Sequence, residues 1–377
     1  MNMRRTQIFL FTLLAVFSTA LLSRAQTTEP TPPPINEESG VEKVVTEEVK
    51  LNIAAFDYNG QFAGDVKKED LVILENDRIH QANSLRRIPA NVLIVLDTGG
   101  EMRRAKNIDL TRETAKTLVR SLRPEDSVAV IQYNDKVEVI AEWTEDKAEI
   151  LNILDKRMNF GRRSLFYSAM QTATEFLGKT PLENRHLVLI TDGTDSFDQK
   201  DQRDAMIRGL LSTDISVHVI SYTQMEQKEL DPNSSALRKG EPKPNRAPEE
   251  VINTMPNGVK DILKAPRIAS VSTDREFLRN LKARRNALAE GEKYLSDLAR
   301  DTNGQFILPE NKDEMKAKPN LIAKLIDSSY VVTYTPKDPL NESPEGEIRE
   351  VVVTSKREGL DVQARRKIVV GATDTNK

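Results

Sequence analysis

Two aspartates in this chain each close a run of apolar residues and stand within two residues of a glycine. Asp97 ends VLIVLD ahead of Gly99, and Asp192 ends HLVLITD ahead of Gly193. A hydroxyl residue, Ser164, stands in a glycine-led stretch between them. Carboxylates of this kind either share a proton in acid–base catalysis or combine with hydroxyl oxygens to hold a hard divalent cation.

The first of these turns has the local pattern of an aspartic protease. Such an enzyme uses two Asp-Thr/Ser-Gly turns that share one proton, and the sequence has no second turn besides the one at Asp97. A Gly-x-Ser-x-Gly motif, a phosphate-binding loop and a zinc-binding histidine pair are also missing. His186 and His218 lie in apolar runs, which is typical of core residues. The residues therefore favour a non-enzymatic protein over a protease.

Strands and helices alternate around the two aspartates. Residues 92–97 and 186–191 are continuous apolar runs, typical of strands covered on both faces, and residues 104–122 carry apolar residues at helical spacing. Repeated alternation predicts an α/β fold with a doubly wound, mostly parallel sheet, in which ligands bind beyond the carboxyl ends of the strands. Asp97 and Asp192 both stand at such ends.

All-β segments flank this α/β region. We predict three strands in residues 46–89, the last over 78–88, and three in residues 329–371. Neither group has enough apolar surface to stand alone, so we expect one β-sandwich that both groups build. The α/β region, residues 90–328, is then inserted in that sandwich.

A long insertion is predicted within the α/β region at residues 224–290. Its first part is polar, proline-dotted and too long for an ordinary connection. Thr273 and Glu276 have the spacing of a capping box, which predicts the start of a helix there. We expect Gly291 to interrupt that helix.

The N-terminal residues 1–25 have the features of a secretory signal peptide. Two arginines precede an apolar stretch, and small residues stand ahead of a cleavage point after Ala25. The alternative is a membrane anchor, but the stretch is broken by polar residues and is shorter than the roughly 20 residues that span a bilayer. A proline-rich linker follows at residues 26–45, and residues 372–377 form a tail.

Composition limits the compartment and the partner. The chain has no cysteine, so it has neither disulfides nor the lipid-bearing cysteine of a bacterial lipoprotein. We therefore expect a secreted or periplasmic protein with no transmembrane segment after signal cleavage. The net charge of -3 is spread along 377 residues, which argues against nucleic acid as a partner and favours local recognition of a protein. Nothing in the sequence selects one partner or one oligomeric state.

The strand that ends in Asp97, the glycine-led loop with Ser164 and the strand that ends in Thr191-Asp192-Gly193 together resemble the von Willebrand factor A domain. The resemblance covers roughly residues 90–328. With its leader and flanking strands, the chain resembles the secreted von Willebrand A-related proteins of acidobacteria. This resemblance implies a non-enzymatic module for protein binding or adhesion.

In that family, a metal-ion-dependent adhesion site holds Mg²⁺ with Asp-x-Ser-x-Ser, a threonine and a second aspartate. The resemblance implies that Asp97, Ser164 and Asp192 are metal ligands here. Gly99 and Glu101 stand where the family has serines. Gly99 has no side-chain oxygen, whereas Glu101 is a longer replacement carboxylate. The resemblance thus implies a degenerate Mg²⁺ site, and we expect that placing serines at both positions would rebuild it without disturbing the strand.

The same residues allow a metal-free alternative. Four arginines flank the loops, and a guanidinium from one of them would neutralise the aspartates where a metal would otherwise sit. These arginines are Arg103, Arg104, Arg162 and Arg163. In this alternative the protein is a structural scaffold of the cell envelope, and residues 224–270 carry any recognition.

Overall fold

The computed structural model describes residues 47–100, 107–179, 182–197, 200–230, 256 and 275–370. The predicted signal peptide, linker and tail lie outside these residues, as do Glu101 and most of the predicted insertion. Among the described residues, no helix combines the length and the apolar character needed to cross a bilayer.

The strands are β1 (Val49–Asp57), β2 (Leu71–Glu75), β3 (Arg78–His80), β4 (Ser84–Arg86), β5 (Asn91–Asp97), β6 (Ser127–Tyr133), β7 (Val137–Thr144), β8 (Arg185–Thr191), β9 (Ser216–Ser221), β10 (Phe306–Ile307), β11 (Ser329–Tyr334), β12 (Ile348–Ser355) and β13 (Leu360–Val369). The helices are α1 (Ile108–Ser121), α2 (Lys147–Arg157), α3 (Phe166–Gly178), α4 (Lys200–Leu211), α5 (Thr223–Glu229), α6 (Arg275–Asp301), α7 (Lys312–Ala317) and α8 (Pro319–Asp327). Short 3-10 helices lie at Lys68–Asp70 and Leu340–Glu342.

A doubly wound sheet forms the centre of the α/β region, as the sequence predicted. Its strand order is β10-β9-β8-β5-β6-β7, and only β7 runs antiparallel to its neighbour. Successive side chains of β5 point to opposite faces. Val92, Ile94 and Leu96 pack with α1, α2, α7 and α8, whereas Leu93 and Val95 pack with α3, α4 and α6. Burial on both faces explains the continuous apolar run in this strand.

The flanking strands form one curled antiparallel sheet in the order β3-β2-β12-β13-β1-β11-β4. Strands from both ends of the chain thus pair with one another and enclose a shared hydrophobic cluster. The two β segments, predicted to build one sandwich, share one curled sheet in the structure. The strand predicted over residues 78–88 is instead split. Its halves, β3 and β4, lie at opposite edges of the sheet.

Hydrogen bonds between buried polar groups connect the two sheets. The guanidinium of Arg366 on β13 donates to the carbonyls of Ile215, at 2.9 Å, and Thr302, at 3.3 Å. Asn52 on β1 donates to Ser216 Oγ at 3.3 Å, and its own carbonyl accepts from Asn303 Nδ2 at 2.5 Å. Each of these buried groups has a hydrogen-bond partner. Burial still disfavours the charge of Arg366 and lowers its pKa to about 10. The two sheets belong to one compact unit.

Helix α6 is unbroken, so the expected interruption at Gly291 is wrong. A Cβ at this position would lie 2.6 Å from the carbonyl oxygen of Asp192. The glycine therefore allows the helix to approach the backbone after β8 closely, and this close approach offsets its low helix propensity.

A directed hydrogen-bond chain joins two histidines on the neighbouring strands β8 and β9. The Gln305 amide donates to His218 Nδ1 at 3.1 Å, so His218 carries its proton on Nε2 and donates it to His186 Nδ1 at 3.0 Å. His186 then donates from Nε2 to Asn184 Oδ1 at 2.9 Å. Both rings are buried and neutral, which agrees with their interpretation as core residues.

We expect these histidines to make stability depend on pH. Burial, aided by the positive charge of Arg123, lowers the pKa of His186 to about 3, whereas the unfolded chain titrates near 6.5. Between these values the unfolded state binds the extra proton, so stability falls as the pH decreases. From about pH 7.5 to about pH 5, His186 should account for a loss of roughly 2 kcal/mol.

Urea denaturation at both pH values measures this loss. The variant His186→Gln, which has no titrating ring, should show a shallower pH dependence than the natural protein. Equal dependence in the two proteins would mean that His186 protonates freely in the folded state.

Candidate functional site

Three loops meet at the carboxyl edge of the parallel sheet, and we call the surface that they form the loop face. It consists of residues 98–100, 159–164 and 192–197. The amide of Gly100 donates to the Arg163 carbonyl at 3.1 Å, and the amide of Ser196 donates to the Ser164 carbonyl at 2.8 Å. The structure therefore brings together the loops of Asp97, Ser164 and Asp192. The strand ends predicted that the two aspartates lie together, and the family resemblance implied that Ser164 joins them.

Asp97 lies buried at the centre of these loops. Its carboxylate accepts from the Gly99 amide at 3.1 Å, from Thr191 Oγ1 at 3.1 Å and, more weakly, from Ser164 Oγ at 3.4 Å. Because Thr191 gives its hydroxyl proton to Asp97, it accepts from the Tyr133 hydroxyl at 2.7 Å. Burial and the charge of Asp97 raise the pKa of Tyr133 well above its usual value, so Tyr133 remains a donor.

Asp192 is fully buried and is held by an arginine. One carboxylate oxygen accepts from the amide and the hydroxyl of Thr194, at 2.8 and 2.6 Å. The other accepts from Arg284 at 2.9 Å. The same guanidinium binds Glu226 Oε2 at 2.6 Å and donates to Thr194 Oγ1 at 2.9 Å. Burial alone would lower the pKa of Arg284, but the charges of Asp192 and Glu226 outweigh it and raise that pKa above its usual value.

Sequence reasoning missed Arg284, which pairs with Asp192, and Glu226, which binds the same guanidinium. Glu226 lies on α5 and Arg284 on α6, in parts of the chain that we assigned to the insertion. A signal was present: Arg284 begins a stripe at helical spacing that continues through Leu288, Gly291 and Leu295. The two leucines are fully buried, so this stripe faces the domain and aims Arg284 at the loop face.

The arginines that the sequence singled out have other surroundings. The side chains of Arg162 and Arg163 are exposed, and their amides donate to the Asp135 carboxylate at 3.0 Å each. The Arg163 guanidinium lies 5.6 Å from the ring centre of Phe197. Arg103 and Arg104 lie outside the described residues. Among the described residues, the guanidinium that pairs with Asp192 comes from α6.

Gly99 is enclosed by backbone atoms. A Cβ at this position would lie 1.8 Å from the Arg163 carbonyl oxygen and 2.9 Å from Asn134 Cα. A serine at position 99 should therefore disturb the loop, whereas the expectation concerned the strand, which ends at Asp97. No side chain fits between loops that approach so closely.

The described donor set does not fit a Mg²⁺ ion, which demands near-octahedral oxygen coordination. Position 99 has no side-chain oxygen, and one oxygen of Asp192 is bound to a guanidinium. No group of three or more His, Cys, Asp or Glu side chains in the described ranges is placed to hold a metal. The ligand roles of Asp97, Ser164, Asp192 and Glu101 remain predictions.

A doubly wound sheet with polar loops at its carboxyl edge defines a class of nucleotide- or ion-binding and protein-binding folds. Within that class, residues 92–194 match the family model of the von Willebrand factor type A domain. The chain therefore contains a von Willebrand factor A-type domain, as its motifs predicted. The narrower likeness to the acidobacterial proteins remains a prediction.

Solved structures with similar folds include three distant examples. The aerotolerance-related membrane protein of Bacteroides fragilis is 19% identical, with 63% of this chain and 98% of that chain covered and a TM-score of 0.38. The von Willebrand factor type A protein of Catenulispora acidiphila is 11% identical, covers 88% and 75%, and has a TM-score of 0.41. Manganese-loaded TRAP of Plasmodium vivax is 9% identical, covers 85% and 97%, and has a TM-score of 0.36. No curated protein matches the sequence.

Proposed function

We propose that this chain is an exported, non-enzymatic module that binds a protein partner through the loop face. One observation carries the proposal: hydrogen bonds lock the loops together, and the locked loops expose large apolar and cationic side chains. Phe160 and Phe197 are each 42% exposed, and the exposed Arg162 and Arg163 follow Phe160 in the chain. The Arg163 guanidinium lies 5.6 Å from the ring centre of Phe197. Aromatic and arginine side chains dominate the binding energy of protein interfaces.

The positive charge of Arg162 and Arg163 on the loop face indicates the chemistry of the partner. Among the described residues, neither Arg162 nor Arg163 forms an ion pair, so both guanidinium groups remain available to an incoming carboxylate. Phe197 adds an apolar surface that Arg163 partly covers. A protein surface that combines acidic and apolar side chains is the best complement to this part of the loop face. The buried carboxylates of Asp97 and Asp192 bind donors within the chain, which supports a binding role over acid–base catalysis.

A second candidate is a metal-free structural scaffold of the cell envelope, in which the loop face binds nothing. The observation that favours it is the internal neutralisation of Asp192 by Arg284. A Mg²⁺-dependent form of the binding function would instead use Asp97, Ser164, Asp192 and Glu101 as ligands, and the arrangement around Gly99 and Arg284 opposes it.

Affinity capture from an envelope extract separates binding from a structural role. The bait is the chain from residue 26, with Arg163→Glu and Phe197→Ala as the loop-face variant. We expect this variant to lose captured partner about tenfold or more, as hot-spot residues do. The matched control is Arg78→Glu with Ile79→Ala, an exposed pair at the edge of the antiparallel sheet.

The control bait should retain the partner that the natural bait captures. If the loop-face variant retains it equally well, the loop face does not carry binding. The structural-scaffold candidate would then be the better one.

A further inference from the structure

We propose that Arg284 is a built-in, permanent substitute for the metal ion of this domain family. An ion would otherwise supply positive charge to Asp192 and to the third loop of the loop face, residues 192–197. The guanidinium of Arg284 supplies that charge instead. The loop face is therefore charge-balanced by the chain itself and does not respond to divalent cations. This inference is independent of protein binding and can be tested without a partner.

The contacts of Arg284 match the role of a cation. It bridges two carboxylates whose side chains are fully buried, those of Asp192 at 2.9 Å and Glu226 at 2.6 Å. It also contacts the hydroxyl of Thr194, at 2.9 Å, which itself donates to Asp192. One positive group thus organises three oxygen-bearing side chains from two different segments, as a hard cation would.

Helix α6 holds this substitute in place. Gly291 sits so close to the backbone that a Cβ would meet the Asp192 carbonyl oxygen at 2.6 Å, and a Cβ at Gly193 would meet Leu295 at 2.7 Å. Glu292 accepts a hydrogen bond from Thr223 at 2.8 Å. These contacts fix the helix against the third loop and against α5. The guanidinium is consequently tethered at a fixed distance from Asp192 rather than held only by its charge.

The tether has an electrostatic consequence. A divalent ion near Asp192 would experience repulsion from a fixed guanidinium 2.9 Å from that carboxylate. The ion could bind there only by displacing Arg284 from two buried carboxylates. Removing the guanidinium would leave oxygens of Asp192, Glu226 and Thr194 in one place, and hard divalent cations prefer such oxygens. The variant, unlike the natural protein, should therefore respond to these ions.

Thermal melting with Mg²⁺ and Mn²⁺ tests this inference. The natural chain from residue 26 and its Arg284→Met variant are stripped with a chelator and then titrated with each ion. The Tm of the natural protein should not change. The Tm of the variant should be lower and should rise saturably by several degrees as the ion is added, because binding to the folded state stabilises it. Mn²⁺ electron paramagnetic resonance should detect bound ion in the variant alone.

Arg349→Met is the matched control. Arg349 is another buried arginine that bridges a buried carboxylate, Glu75, at 2.8 Å, but it lies in the antiparallel sheet. Its loss should lower the Tm without creating a response to either ion. If Arg284→Met fails to fold, Arg284→Gln removes the charge but keeps a polar side chain that can donate hydrogen bonds, and it should bind Mn²⁺ measurably.

Two results would overturn the inference. One is a saturable Tm rise of the natural protein with Mg²⁺ or Mn²⁺ that Asp97→Ala abolishes, because the ion would then bind beside Arg284. The other is a folded Arg284 variant as indifferent to both ions as the natural protein. Neither result depends on whether the loop face binds a protein, so failure here is distinguishable from failure of the proposed function.

Discussion

Replacing Arg284 with methionine should lower the free energy of unfolding by about 3–5 kcal/mol, the usual cost of removing one partner from a buried ion pair. Methionine retains much of the apolar stem, so the loss comes mainly from the guanidinium. Asp192 and Glu226, both fully buried, would lose the cation that they share. Their carboxylates would then repel each other in a region of low dielectric constant.

Urea denaturation of four variants separates this charge effect from packing. If the guanidinium stabilises the Glu226 carboxylate, the double variant Arg284→Met, Glu226→Gln should lose less free energy of unfolding than the two single variants lose in sum. Arg357→Met is the control, since Arg357 is partly exposed and pairs with Asp65, which is 79% exposed, and pairs open to solvent contribute at most about 1 kcal/mol. An Arg284→Met loss no larger than that of the control would show that the pair contributes little.

In Arg284→Met, the loop at residues 192–197 should open locally at a lower free-energy cost than unfolding of the whole domain. Arg284 and Asp192 hold Thr194, and the loop continues to Ser196, whose amide donates to the Ser164 carbonyl at 2.8 Å. Amide hydrogen exchange at Thr194 and Ser196 should therefore accelerate in Arg284→Met more than exchange in the central strands.

The parallel sheet and the position of its aspartates could be predicted from the sequence because both follow from local patterns. Burial on both faces makes β5 and β8 continuously apolar, and a sequence of strands and helices admits few topologies. Once the strands are parallel, their carboxyl ends meet at one edge, so Asp97 and Asp192 must lie on the same side of the sheet.

The charge balance of the site could not be predicted in the same way. Arg284 reaches Asp192 across 92 positions of sequence, and it lies in a stretch whose polarity resembles an insertion. Only the packing of α6, which Gly291 allows, makes that contact. The split of residues 78–88 into β3 and β4 has a similar origin, because β3 pairs with its sequence neighbour β2, whereas β4 pairs with β11 from the far end of the chain.

Gly99→Ser should be the most damaging single change on the loop face, although it adds the oxygen that the family has at this position. The new Cβ would lie 1.8 Å from the Arg163 carbonyl oxygen, so the two loops must separate. Separation breaks the bonds from Gly100 to Arg163, at 3.1 Å, and from Gly161 to Thr98, at 3.2 Å. Two lost hydrogen bonds at about 1 kcal/mol each and an overpacking cost of about 1–3 kcal/mol give a loss of roughly 3–5 kcal/mol.

Gly209→Ala is the control for this change, because its Cβ would meet nothing within 4 Å in α4 and should stabilise the helix by about 0.5–1 kcal/mol. Urea denaturation should thus give opposite signs for the two substitutions. Calorimetry of Gly99→Ser should show no gain in Mg²⁺ binding, since the serine oxygen arrives only as the loops that would surround the ion come apart. A variant as stable as the natural protein that gains Mg²⁺ affinity would show that these loops yield easily, and that the glycine alone keeps the site from taking a metal.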